Sequence, residues 1–266
     1  MQDREKLKHL HDILSGYGRV GIAFSGGVDS SFLLKSSLDV LGAGNVCVLH
    51  GRSCLQKTSE QKAALSWVER HGYSPDIEQV QVELQPLSWK EFVSNSGERC
   101  YQCKRRMYTL FLEELDRRSI VHLLDGTNID DLKHRRPGLR AIHELGVRTP
   151  LVEAGFGKDE IRRGSRLLDL DTHDQPSASC LATRIPHGTP ITLQRLQLIN
   201  DWEDKLEEFG FRGCRAKMGS NLENIVFLQL VQGDLERFLD PVLRQAVYRF
   251  FLNQGIKKVF LDLEER

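Results

Sequence analysis

The chain has 266 residues, 40% hydrophobic and 28% charged, enough for one large domain or two modest ones of a soluble globular protein. Lys plus Arg and Asp plus Glu both total 37, so a general attraction to nucleic acid is excluded and only a local basic patch could supply one. No apolar run approaches the roughly 18–20 residues of a membrane span, and the charged start Met1–Lys6 is no signal-peptide core, so no membrane association and a cytoplasmic location are expected.

Leu7, Leu10, Ile13 and Leu14 fall at helical spacing and predict an opening helix. Residues 19–24 (RVGIAF) read as a buried parallel strand ending at glycine-serine punctuation, followed by a helix over 30–41. Residues 45–49 predict the next strand, and 59–71 a helix with Ala63, Ala64, Trp67 and Val68 inward. A third strand over 77–82, a helix over 104–118 and a strand over 120–124 follow. This alternation predicts an α/β fold, a doubly wound parallel sheet, in which ligands sit at the carboxyl ends of the strands. A helix is expected over 158–168, and the Pro, Ser, His and Thr-rich stretch 171–192 reads as a functional loop and hinge. Then come a helix over 192–209 with Leu193, Leu196, Ile199, Trp202 and Leu206 at helical spacing, a strand over 225–230, a helix over 241–253 and a closing strand over 258–263. The predicted organisation is a nucleotide-binding domain over 1–170, the hinge, and a small α+β domain over 193–266 for substrate and oligomerisation.

The first chemical motif is Ser25-Gly26-Gly27-Val28-Asp29-Ser30-Ser31, between a strand and a helix. Its glycines let backbone approach an anion, its hydroxyls donate, and the next helix aims free N–H groups at phosphates. It lacks the Gly-Lys-Ser/Thr ending of a Walker loop, which disfavours γ-phosphate transfer. Strand-SGGxDS-helix resembles the pyrophosphatase-loop superfamily, which implies ATP cleavage between the α and β phosphates. Asp29 stands where a carboxylate could hold Mg²⁺, and equally where the helix dipole favours an acid. Asn128, in the 125–128 loop after the fourth strand, is a further nucleotide-side candidate. Asp130 and Asp131 read as well as a solvated pair as a metal or nucleotide contact.

In a cytosolic chain the six cysteines need a reading other than disulfides. Cys47, within a strand, is read as a small apolar residue, and so are Cys54 and Cys214. Cys100 and Cys103 form a CxxC, which by itself allows a zinc half-site, a redox pair or chance. With Cys180 from the irregular loop, three thiolates suit a [4Fe-4S] cluster with one open iron, against zinc or inert thiols.

SGGVDSS, RCYQCK and the run over 126–192, with GTNIDDLKHRRPGLRAIHELGVRTPLVEAGFGKDEIRR and PSASCLATRIPHGTPIT, together resemble the LarE family of ATP-dependent sulfur transferases. The likeness covers most of residues 15–215, with weaker similarity at 206–211 and 258–264. It implies that ATP adenylylates the carboxylate of a pyridinium mononucleotide and that a sulfur nucleophile displaces AMP to give a thiocarboxylate. In some members the cysteine matching Cys180 gives up its own sulfur. Those with the CxxC pair as well carry a [4Fe-4S] cluster, the version implied here by Cys100, Cys103 and Cys180. Arg184 and Glu203 match positions lining the family's substrate site, and Arg215 and Lys217 match a basic pair for the substrate phosphate, though all four also read as surface charges, with Glu203 on an exposed helix face. A sulfur donor protein and a homo-oligomer, hexameric in the family, are further implied. The chain departs from the family in Lys217, where an arginine is usual, in the short polar stretch before Cys100, and in ending at Arg266 where the family runs on.

Two other readings compete: a tRNA-thiolating enzyme of the same superfamily, and a non-catalytic ATP-binding iron-sulfur protein. Zero net charge argues against the first.

Overall fold

The computed structural model describes residues 2–133, 137–220 and 224–263. His134, Arg135 and Arg136 of the family-like run, and Glu264 of the closing similarity, lie outside the described residues. In chain order the elements are α1 (Gln2–Ser15), β1 (Val20–Ala23), α2 (Val28–Leu41), β2 (Val46–Arg52), α3 (Thr58–Leu65), α4 (Trp67–Arg70) and β3 (Glu78–Glu83). Then come α5 (Lys90–Val93), α6 (Arg99–Asp116), β4 (His122–Asp125), α7 (Pro137–Glu144), α8 (Pro150–Glu153) and α9 (Lys158–Leu167). The chain continues with α10 (Leu193–Glu208), β5 (Arg215–Met218), β6 (Ile225–Gln229), α11 (Gln232–Leu235), α12 (Pro241–Asn253) and β7 (Lys258–Asp262).

The described residues fall into two compact units, the first drawn from 1–53, 58–85 and 98–175, the second from 54–57, 86–97 and 176 onward. The first is an α/β layer structure around a wholly parallel sheet in the order β3-β2-β1-β4. β1 and β4, central and outer, are buried runs because helices cover both faces. On one face Val20, Ile22, Val46, Val48 and Leu124 join Leu10 and Leu14 of α1, Phe32 and Leu33 of α2 and Ile161 of α9 in a single core. On the other, α6 lies so close that a Cβ on Gly21 would run into Leu115. The strand order reverses between β1 and β4, so the loops leaving their carboxyl ends meet at a topological switch point.

The second unit has the sheet order β5-β6-β7, with β5 antiparallel to β6 and β7 parallel to it. Ala216, Val226 and Leu228 are fully buried, and Trp202 of α10 meets Phe251 of α12 with centroids 5.7 Å apart.

Several expectations are corrected. The helix expected over 59–71 is two, parted at Ser66, and Ala63 faces solvent while Ala64, Trp67 and Val68 are buried. Glu203, weighed as a charge on an exposed helix face, is buried instead. β5 had no expected counterpart: four residues, two of them cationic, carry too little pattern. The stretch 171–192 is irregular, as expected, apart from one 3₁₀ turn at Leu181–Arg184.

Candidate functional site

In the first unit, Ser25–Ser31 turns from β1 into α2. Gly26 takes φ +78°, and a Cβ there would press on Ala64, so glycine is needed for both turn and packing. Ser30 Oγ lies 3.1 Å from Ser25 Oγ and donates to the Gly27 carbonyl at 3.1 Å, fixing the loop's curvature. Gly27 is the N-cap of α2 and has no side chain to cap it, which leaves the helix N-terminus open to an anion. Ser31 Oγ is buried without a hydrogen-bond partner among the described residues.

The loop after β4 closes on this turn. Gly126 packs so tightly that a Cβ would stand 3.0 Å from the Ser30 nitrogen. Asp125 is buried at the strand end; it accepts from the Thr127 amide at 2.8 Å and from Tyr108 Oη, with Lys104 Nζ at 3.6 Å. Burial works against its ionisation, but Lys104, Thr127 and Tyr108 outweigh that and hold its carboxyl below the ordinary carboxylate value. The ordered loop then presents Asn128 Nδ2 to Asp29 Oδ1 at 3.3 Å. Asp29 also pairs with Lys158 Nζ, from the first residue of α9. Burial pushes the Asp29 carboxyl above its ordinary value despite Lys158 and Asn128.

Lys158 lies within the family-like run over 126–192, but sequence reasoning did not single it out as a site residue. Its signal is a cation at the N-terminus of a helix, where the dipole disfavours one. Asp130, open in sequence between solvated and functional roles, accepts from the Lys158 backbone N–H at 2.7 Å and pairs with Lys133 at 2.6 Å. Asp131 accepts from the Asn128 N–H at 3.1 Å. Both acids thus tie down the loop carrying Asn128.

Cys100 and Cys103 lie in the first two turns of α6, which begins at Arg99 rather than at 104. Three residues apart, they share a helix face. Cys100 is exposed and Cys103 half-buried. Cys47 is buried, and burial drives its thiol up to about 11, as suits an inert apolar residue. Cys214 is likewise buried, whereas Cys54 is half-buried.

Cys180 belongs to the second unit, as do Arg184, Glu203, Arg215 and Lys217. Arg184 and Glu203 form a buried bidentate pair, Nε to Oε1 at 2.7 Å and Nη2 to Oε2 at 3.1 Å. Arg184 Nη1 reaches back to the Cys180 carbonyl at 3.2 Å and the Ser179 carbonyl at 2.8 Å. The reading of these two as surface charges is therefore overturned. Glu203 Oε1 also accepts from the Ala216 N–H at 3.2 Å, between the two cations of β5. Arg215 and Lys217, two apart on the strand, share one face of the sheet. Arg215 donates to the Ser177 carbonyl at 3.4 Å, and Lys217 meets Asp262 of β7 at 3.1 Å. Among the described residues, no three His, Cys, Asp or Glu side chains stand together as a group able to hold a metal ion. None of the described helices is long and apolar enough to cross a membrane.

The parallel sheet and the SGGVDSS turn at its switch point define an α/β protein of the pyrophosphatase-loop class. No protein-family model matches the chain. It is 31% identical to the pyridinium-3,5-bisthiocarboxylic acid mononucleotide synthase of Lactiplantibacillus plantarum, over 92% of this chain and 86% of that one. An uncharacterized protein of Synechocystis sp. is 31% identical over 97% of this chain and 94% of its own. A component of the glutamine-hydrolyzing GMP synthase of Thermoplasma acidophilum is 30% identical over 71% of this chain and 65% of its own. The chain belongs to the LarE family, that of the pyridinium-3,5-bisthiocarboxylic acid mononucleotide synthase.

Proposed function

We propose that this chain is a sulfur transferase that uses ATP and Mg²⁺ to adenylylate the carboxylate of a pyridinium mononucleotide and convert it to a thiocarboxylate, in nickel-pincer cofactor biosynthesis. Family membership supports the reaction class. The observation that carries the reading is an uncapped helix N-terminus behind SGGVDSS in a chain that also holds the Cys180 loop on a buried arginine.

The open N–H groups of α2 and the Ser25 and Ser30 hydroxyls receive the ATP phosphates, and Asp29 and Lys158 divide the work around them. Asp29 holds Mg²⁺, a hard cation suited to carboxylate oxygen, while Lys158 turns from Asp29 to phosphate. Asn128 keeps the Asp29 carboxylate oriented. Adenylylation makes AMP the leaving group, so a modest sulfur nucleophile suffices. Arg215 and Lys217 receive the substrate phosphate, with Asp262 holding Lys217 in place. Arg184 fixes the Cys180 loop.

Cys100, Cys103 and Cys180 are three thiols of the soft ligand type that a [4Fe-4S] cluster takes, and they would be its ligands. When bound, that cluster would supply a sulfide on its open iron, sparing the Cys180 side chain. A sulfur donor protein restores the sulfide, and copies of the chain associate, with Val242 and Leu252 of α12 as exposed apolar surface. The test is mass spectrometry of a pyridinium carboxylate mononucleotide after anaerobic incubation with the protein, ATP, Mg²⁺ and sulfide. Thiocarboxylate with stoichiometric AMP and pyrophosphate is expected; an unchanged carboxylate with no ATP consumed rejects the proposal.

A further inference from the structure

Lys57 is a buried ammonium that no motif contains. Only 6% of the residue is exposed, and it faces three carboxylates of α10: Glu207 at 2.7 Å, Asp204 at 3.2 Å and Glu203 at 3.8 Å. Burial alone would lower its pKa, but those carboxylates raise it above the ordinary lysine value, so the charge is retained. Glu207 and Asp204 are half-exposed and would be solvated without it; Glu203, 1% exposed, would not.

Both Glu203 oxygens are engaged in holding the site. Oε1 takes the Arg184 Nε and Ala216 N–H bonds, and Oε2 takes Arg184 Nη2 with the Lys57 ammonium beside it. The pair continues to the Cys180 loop, because Arg184 Nη1 stands within reach of the Ser179 and Cys180 carbonyls and the Thr183 hydroxyl. The segment carrying Lys57 touches that loop a second time, where the Leu181 N–H donates to the Leu55 carbonyl at 2.9 Å. Residues 55–57 therefore brace the Cys180 loop from two sides, by backbone at Leu55 and by charge through Glu203 and Arg184.

We infer that Lys57 is a positioning residue for sulfur delivery: it holds Glu203 and Arg184 in the geometry that fixes the Cys180 loop. Without the ammonium, three carboxylates within five residues of α10 repel one another with Arg184 the cation left in contact with Glu203 among the described residues, and the strain falls on the Glu203–Arg184 pair. A displacement of about 1 Å at a reacting group can lower a rate on the order of a hundredfold.

The inference rests on the sulfur-transfer reading for its activity readout, but its first readout does not. In the full chain, with iron removed by a chelator and the thiols kept reduced, alkylation of each thiol by iodoacetamide is followed by peptide mass spectrometry in wild type, Lys57→Met and Lys57→Arg. Lys57→Met should speed alkylation of half-buried Cys180 roughly tenfold while exposed Cys100 keeps its rate, and Lys57→Arg should return Cys180 towards wild type. Thiocarboxylate formation should fall about ten- to a hundredfold in Lys57→Met, with pyrophosphate exchange into ATP changed less than about threefold. Unchanged Cys180 alkylation in a folded Lys57→Met protein overturns the inference, and equal loss of exchange and transfer does so too. If Lys57→Met does not fold, Lys57→Gln replaces it, removing the charge while keeping a polar side chain: faster Cys180 alkylation supports the brace, and a wild-type rate overturns it. A wild type that makes no thiocarboxylate defeats the sulfur-transfer reading alone, since the alkylation comparison stands without it.

Discussion

At the scale of single residues, the most informative pair is Asp29 and Lys158. They are 129 positions apart in sequence yet in contact at the switch point. Asp29 is held there against the pull of burial, which favours its neutral form. Lys158 and Asn128 oppose that pull, and in the proposed function Mg²⁺ would take the lysine's place. On that account Lys158→Met removes one charge-assisted contact to phosphate, worth about 1.5–3 kcal/mol, and should raise the KM for ATP in pyrophosphate exchange roughly ten- to a hundredfold. It should also move the Asp29 carboxyl further up, because the cation that opposes burial is gone. A KM for ATP equal to wild type would show that Lys158 is only a structural partner of Asp29.

At the scale of elements, the loop after Cys180 illustrates order without regular structure. Asn95 takes φ +55° and is fully buried. Its Nδ2 donates to the Pro186 and Thr189 carbonyls at 2.8 and 2.7 Å, and its own carbonyl accepts from the Gly188 N–H at 3.1 Å. Asn95→Ala removes both side-chain donations and places alanine in the left-handed region, so a loss of about 2–3 kcal/mol is expected in urea unfolding. A loss below about 0.5 kcal/mol would mean the loop is held by other contacts. This clamp also marks what sequence could not reveal. Buried strands and the SGGVDSS turn announce themselves locally, through apolar runs and glycine, and β1, β2 and β4 are legible for that reason. Glu203 is legible in principle: it lies four residues after Ile199 and three before Leu206, on the apolar stripe itself, so its burial follows from helical period. Asn95 and Lys57 carry no such period. Their partners lie about ninety and 150 positions on, and only folding brings them together.

At the scale of the whole molecule, the candidate machinery is divided between units. The phosphate loop, Asn128 and Lys158 belong to the first; Cys180, Arg184, Glu203, Arg215 and Lys217 belong to the second, which also takes in residues 54–57 and 86–97 from within the first unit's stretch of sequence. The proposed chemistry is separable by reagent, because adenylylation needs ATP and the carboxylate substrate but no sulfur, whereas AMP displacement needs sulfur and no further ATP. Substitutions should therefore separate the half-reactions. Ser30→Ala removes the hydroxyl that links Ser25 and the Gly27 carbonyl, so it should lower pyrophosphate exchange and, as a consequence, thiocarboxylate formation in equal proportion. Cys180→Ala leaves every residue around the phosphate loop in place. It should retain exchange within about threefold of wild type while thiocarboxylate falls below detection, and the acyl-adenylate should then accumulate or hydrolyse to AMP. Exchange lost along with transfer in Cys180→Ala would contradict this division, since the sulfur side would then be needed to build the ATP side.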